Sequence, residues 1–113
     1  MAVVAGVPRR DEVWLVDLEP TRGAEIRKTR PCLVVSADEL NENLQAVIVA
    51  PMTTTIRPYP TRVSLRFQGR NGQIALDQLR AIARIRLLRK LGTVTSHTAQ
   101  LAAATLIEMF SRT

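Results

Sequence analysis

The chain has 113 residues, of which 46% are hydrophobic and 23% charged. That much apolar side chain can build one core and excludes a disordered tail. Sixteen Lys and Arg against ten Asp and Glu give a formal net charge of +6, the electrostatic footprint of a nucleic-acid partner.

No apolar run approaches the roughly 18 residues needed to cross a bilayer. The short apolar start has no basic stretch ahead of it, so no signal peptide is read and a cytoplasmic protein without membrane contact is expected. Neither a repeat nor a linker interrupts the chain. A single domain over residues 1–113 is predicted, with residues 1–8 as a flexible extension.

The first element, "EVWLVDL" (Glu12 to Leu18), alternates as a strand does: Val13, Leu15 and Asp17 on one side, Trp14, Val16 and Leu18 on the other. Pro20 and Gly23 then mark a loop. "PCLVVS" and "AVIVAPM" are continuous apolar runs of strand length and predict central strands. The acidic "ADELNEN" between them reads as a surface loop or a single helical turn. "TRVSLRF" predicts a half-buried strand, with Val63, Leu65 and Phe67 inward and a basic exposed face of Arg62, Ser64 and Arg66. "GRNGQ" is expected to turn the chain, and "QIALDQLRAI" to supply a further strand or pair. "TSHTAQLAAATLIEMF" predicts a C-terminal helix capped by Thr95 or Ser96, with Ala103, Leu106, Ile107 and Phe110 on one face. Several short strands closed by a helix fit a small twisted barrel or curled sheet, an α+β fold that is mainly β.

The candidate chemistry is sparse. Cys32 is the only cysteine, lies inside an apolar run and has no neighbouring histidine, so a buried structural thiol is expected. His97 is the only histidine and stands at the start of the last helix, which excludes a histidine pair acting within one chain. No metal-ligand spacing, phosphate-binding glycine loop or cofactor motif is present, and no cofactor is expected. Cationic and hydroxyl groups at strand ends remain. In "EIRKTRPCLVVSA", Arg27, Lys28 and Arg30 crowd the entrance to a strand, and Pro31 biases Arg30 towards extended geometry. In "PMTTTIRPYP", Thr53, Thr54 and Thr55 follow a buried strand and are framed by three prolines. A guanidinium fork and a row of restrained hydroxyls suit phosphate oxygens.

Five blocks, "EVWLVDLEPTRGAE", "KTRPCLVVS", "VIVAPMTTT", "YPTRVSL" and "ALDQLRAI", occur in the order and spacing of the MazF/PemK toxins of bacterial toxin–antitoxin pairs, and the resemblance spans about residues 9 to 110. It implies an SH3-like barrel of the CcdB/MazF type, a homodimer, and an mRNA interferase that cuts single-stranded RNA without a metal. Carried over position by position, it implies Arg30 and Thr53 as the catalytic pair. Glu25, from the "GxE" loop, and Asp77 and Gln78, the "DQ" pair, would line the RNA groove, and Arg27, Lys28 and Thr54 are counted with them as RNA-binding candidates. The chain departs from the pattern at Asp11, where the family usually has glycine, at Ala83, where it commonly has aspartate, and at Ile26, where glutamine is frequent. A cognate antitoxin with an acidic, flexible segment is the implied partner. The contrasting readings are a CcdB-like inhibitor of DNA gyrase and a plain RNA-binding barrel; the latter has few aromatics for stacking bases.

Overall fold

The computed structural model describes residues 6–19, 23, 25–26 and 28–112 of the chain. Its strands are β1 (Glu12–Asp17), β2 (Thr29–Val34), β3 (Ala46–Thr53), β4 (Arg62–Phe67), β5 (Arg70–Ala75), β6 (Arg80–Ala83) and β7 (Leu87–Thr93). A short helix, α1 (Asp38–Asn43), joins β2 to β3, and α2 (Ser96–Phe110) closes the chain. The strands form one sheet in the order β4-β5-β3-β2-β1-β7, with β6 paired to β3 off that path. The mainly β barrel-like fold with a C-terminal helix is therefore as expected.

Strand β3 organises the sheet. It faces β2 from Val49 to Pro51, β6 from Ala46 to Val49, and β5 only at Met52 and Thr53. Chain between β5 and β6 turns through a 3₁₀ segment, Leu76–Gln78, which lets both strands use the one long neighbour. The sheet thus bends about β3 and buries side chains on both of its faces. The alternation of β1 divides accordingly. Val13 joins a cluster with Leu33, Met52, Val63, Ile74 and Leu76, whereas Trp14, Val16 and Leu18 join another with Cys32, Val34, Val47 and Val49.

Four details differ from the sequence reading. The β4–β5 turn is Gln68–Gly69, both at positive φ as a tight primed turn requires, so most of "GRNGQ" lies within β5. Arg62 is not on an exposed basic face: its side chain is 5% exposed and pairs with Asp77 at 2.8 Å. The buried side of α2 is built from Thr98, Ala99, Ala102, Leu106 and Met109, while Ala103, Ile107 and Phe110 face outward. Only Leu106 of the expected face packs inward. The cap is Thr95, whose Oγ1 accepts from the Thr98 N–H at 3.2 Å. Strand β7 was not anticipated at all; its residues run Leu-Leu-Arg-Lys-Leu-Gly-Thr, with little alternation.

The start of the domain is pinned by polar groups. Glu12, 8% exposed, accepts from the Arg9 N–H and the Trp14 indole, both at 2.9 Å, and pairs with Lys90 at 3.0 Å. Asn41 in α1 is fully buried and donates to the Pro8 carbonyl at 3.0 Å, so Pro8, at the end of the expected extension, is packed. Residues 1–5 of that extension lie outside the described residues.

Two substitutions test this frame. Asp11 adopts φ +74° while its N–H donates to the Val34 carbonyl at 2.9 Å and its own carbonyl accepts from the Val94 N–H at 3.0 Å. Glycine would keep both bonds without the left-handed strain, so Asp11→Gly should stabilise the fold by about 1 kcal/mol and raise Tm by about 4 °C. Burial, reinforced by Asp38 and opposed by Arg10, raises the Asp11 carboxyl above its ordinary pKa. The raised value means that ionised Asp11 is penalised in the folded state at neutral pH. That part of the gain should fade as pH falls through the raised value and be absent below 3.8, the ordinary value, where folded and unfolded states are both protonated. Thermal melts at pH 7 and pH 3 check both parts, and an unchanged or lower Tm at neutral pH would overturn the strain assignment. The second test is Gly72→Ala. A Cβ there would lie 2.7 Å from the Thr53 carbonyl oxygen, so the variant should lose about 1–3 kcal/mol in chemical denaturation and shift the Thr53 and Thr54 amide resonances.

Candidate functional site

A cleft of about 450 Å³ opens where β3 ends. Its lining includes Lys28, Arg30, Thr53 and Thr54, together with Gln68, Arg70, Asn71, Gly72 and Gln73 from the β4–β5 hairpin. Met52, Leu65 and Phe67 supply apolar lining. The strand geometry accounts for the meeting of Arg30 and Thr53. In the antiparallel β2–β3 pair Cys32 faces Pro51. Beyond that pair the end of β2, Thr29 to Pro31, and the end of β3, Met52 and Thr53, border the same cleft, so that Arg30 and Thr53 both line it. Pro31 holds Arg30 extended, and Arg30 also stands across from Val16 of β1.

Thr53 is 8% exposed, and its hydroxyl oxygen accepts from the Thr55 N–H at 3.0 Å. With that lone pair occupied and the rotor restrained, the O–H can donate to an oxygen in the cleft. The loop that follows is held by a residue which pattern reading missed. Gln73, 5% exposed and paired in register with Thr53, accepts from the Arg57 N–H at 3.0 Å and donates to the Arg57 carbonyl at 3.1 Å. One amide side chain thereby satisfies both backbone groups of a loop residue, as a neighbouring strand would. Residue order carries no direct signal for this anchor, because its burial and its pairing opposite Thr53 come from the fold.

The other candidates divide. Glu25 is exposed and Arg27 lies outside the described residues. Lys28 takes φ +72°, its N–H donates to Glu19 at 2.8 Å, and its carbonyl accepts from the Leu18 N–H at 3.1 Å. Those two bonds close the base of the β1–β2 loop. Gln78 works on the same loop, its Oε1 accepting from the Ile26 N–H at 2.6 Å. Asp77 accepts from the Thr61 hydroxyl at 3.0 Å and from Arg62 at 2.8 Å. Burial works to raise its carboxyl, but the bonds from Arg62 and Thr61 outweigh that and hold it below the ordinary value. The Arg62 guanidinium also stacks 5.1 Å from the centre of the Tyr59 ring. Glu25, Asp77 and Gln78 are not among the residues that line the cleft.

Cys32 is fully buried, and burial, against the weaker pull of Arg80 and Arg30, pushes its thiol up to about 12. A thiol held protonated at neutral pH is a packing group, as expected. His97 is exposed in the first turn of α2 and does not line the cleft. Among the described residues no group of three His, Cys, Asp or Glu side chains could hold a metal ion, and no helix is long and apolar enough to cross a membrane.

A guanidinium and a restrained hydroxyl lining one cleft with cationic edges suit a phosphodiester. Comparison with known proteins leads the same way. Residues 9–110 match the family described as PemK-like, MazF-like toxin of type II toxin-antitoxin system. The chain is 38% identical over 98 residues to Endoribonuclease MazF9 of Mycobacterium tuberculosis, an alignment covering 78% of this chain and 83% of that protein. Among solved structures, MazF from Deinococcus radiodurans superposes with a TM-score of 0.81 at 24% identity, covering 92% of this chain and 96% of its own. An endoribonuclease in complex with its cognate antitoxin from a mycobacterial species gives 0.78 at 25% identity, covering 94% and 99%. The chain belongs to the MazF/PemK family of type II toxin–antitoxin toxins.

Proposed function

We propose that this toxin is an endoribonuclease that cuts single-stranded mRNA by attack of a 2′-hydroxyl on the adjacent phosphorus, without a metal ion, and so blocks translation and growth. The observation that carries the reading is that Arg30 and Thr53, from the ends of β2 and β3, line one cleft. Relatives that bear the name endoribonuclease at 38% identity over most of the chain support it, and they disfavour the gyrase-inhibitor alternative.

The chemistry follows from the two groups. Attack gathers negative charge on the phosphoryl oxygens as phosphorus becomes pentavalent, and the products are a 2′,3′-cyclic phosphate and a 5′-hydroxyl. Arg30 neutralises that charge through forked N–H donors, which strengthen as the charge develops. The Thr53 O–H donates to a phosphoryl oxygen and aligns the 2′-oxygen for in-line displacement. A threonine hydroxyl is too weak a base to remove the proton unaided. Glu25 and Gln78 act through the β1–β2 loop, Gln78 by fixing the loop at Ile26 and Glu25 by contact with RNA. The toxin works as a cytoplasmic homodimer. Its antitoxin lays an acidic, flexible segment along the cationic surface, as the antitoxin-bound mycobacterial structure and the +6 charge support.

Cleavage of a long single-stranded RNA in EDTA, with the new 5′ ends mapped, tests the activity. Arg30→Ala should lower kcat by about 10²- to 10³-fold, and Arg30→Lys should not restore it, because an ammonium lacks the planar fork. Thr53→Ala should lower kcat by about 10-fold or more through one lost donor. Uncut RNA with the wild type, or equal cutting by Arg30→Ala, would sink the assignment. For the partner, pulldown of the cognate antitoxin should weaken steadily as salt rises, since paired surface charges are screened. A salt-independent complex would remove charge as its basis.

A further inference from the structure

We propose that Arg70 forms a second phosphate subsite in the cleft, gripping the phosphate next to the scissile one. The subsite rests on the ribonuclease reading above and extends it from one phosphate to a two-phosphate stretch of single-stranded RNA.

Three observations converge on Arg70. The first is its setting on the hairpin. In the β4–β5 register Phe67 pairs with Arg70 and Leu65 with Gly72, and paired residues of antiparallel strands share a face. Arg70 is thus on the side that carries the apolar lining of the cleft, and it lines the same cleft as Arg30 and Thr53.

The second is the end of strand pairing. Strand β5 pairs with β3 only through Gln73 and Ile74, so Arg70 to Gly72 run on past the last β3 residue with β4 as their only partner. The hairpin therefore forms a wall of the cleft rather than a continuation of the sheet. That wall is firm. Gln68 and Gly69 hold a tight turn, and the Gln68 amide donates to the Leu91 carbonyl of β7 at 3.0 Å.

The third is commitment. Arg62 is paired with Asp77, Arg66 donates to Asn71, Arg80 to the Leu18 carbonyl, Arg84 to the Asn41 carbonyl and Arg86 to the Asp17 and Glu19 carbonyls. Arg70 is exposed and has no such bond or ion pair among the described residues. A guanidinium left without an internal acceptor at the rim of a phosphate site is a ligand for a further phosphate. Apolar Leu65 and Phe67 lie on the same face and suit the sugar or base of the nucleotide joining the two phosphates.

The test separates binding from chemistry. An RNA oligonucleotide carrying a 2′-deoxy sugar at the cut site, which cannot be cleaved, is titrated against the wild type, Arg70→Ala and Arg70→Lys at several salt concentrations. The cleavable oligonucleotide supplies kcat at saturation. Arg70→Ala should bind about tenfold more weakly, and the slope of log K against log salt should fall by about 0.7, the signature of one lost phosphate contact on a single strand. Its kcat should stay within about twofold of the wild type, unlike Arg30→Ala, and Arg70→Lys should keep the slope. Replacing the phosphate next to the cut site by a neutral methylphosphonate should weaken wild-type binding and leave Arg70→Ala unaffected. Unchanged affinity and slope in Arg70→Ala would overturn the subsite while leaving the nuclease intact, as would a fall in kcat with binding preserved. A wild type that neither binds nor cuts RNA would overturn the underlying reading and the subsite together. Matching thermal melts of Arg70→Ala and the wild type are expected, because Arg70 holds nothing else.

Discussion

One strand, β3, has more neighbours than a strand edge ordinarily serves, and the molecule follows from how that edge is divided. Its first half is taken by β6 and its last two residues by β5, with β2 along the other side. A continuous neighbour would have left a flat sheet with no recess. Division forces a bend at the Leu76–Gln78 turn and lets β5 run on alone beyond Gln73. The cleft is the gap so created. Gly72 makes the junction possible, since its hydrogen is all that fits 2.7 Å from the Thr53 carbonyl, where any other residue would project a carbon. The backbone approach that seats the hairpin also fixes Thr53, so the recess and the hydroxyl at its edge share one cause.

Much of this was readable from residue order. The continuous apolar runs at β2 and β3 mark strands buried on both faces, and Pro31 beside Arg30 signals a cation held at a strand entrance. Failures have specific physical reasons. Asn71-Gly72 is the strongest short turn signal in the chain, yet the turn falls at Gln68–Gly69 and Gly72 answers to tertiary crowding instead. The buried face of α2 differs from the expected one because its alanines and apolar residues surround much of the helix. Periodicity then gives a broad answer, and only the shape of the sheet selects Ala102 and Met109 over Ala103 and Phe110. Strand β7 hid because it is an edge strand with cations in its centre, a composition that discourages edge-to-edge pairing and obscures alternation. Gln73 was invisible as a loop anchor, since its partner lies sixteen positions earlier and contributes only backbone.

The high arginine count does not translate directly into phosphate contacts. Between Arg57 and Lys90 there are nine cations and one acid, an imbalance that suggests a uniformly phosphate-binding surface. Most of those charges are engaged within the fold. Arg86 and Arg80 lie against carbonyls at the end of β1, and Arg84 lies against the carbonyl of Asn41. A guanidinium suits that task, because its several donors can satisfy carbonyl oxygens that irregular edges leave without strand partners. Net charge therefore describes long-range attraction for an anionic polymer, while local commitment decides which cation touches it. The cations that line the cleft are Lys28, Arg30 and Arg70.

Two glutamines show how a small domain can keep its loops precise without enlarging its core. Gln78 holds the β1–β2 loop at Ile26, and Gln73 holds the loop after β3 at Arg57. An amide is well suited because it offers donor and acceptor together and adds no charge that must be compensated when water is displaced. A carboxylate at position 73 could accept from the Arg57 N–H but not donate to its carbonyl, and it would place a negative charge in the lining of the cleft. These two amides thus hold their loops at Ile26 and Arg57 without adding negative charge beside the cationic cleft. Electrostatic complementarity to RNA requires that neutrality, since a fold that neutralised its own cleft to stabilise its loops would lose the attraction that brings the polymer in.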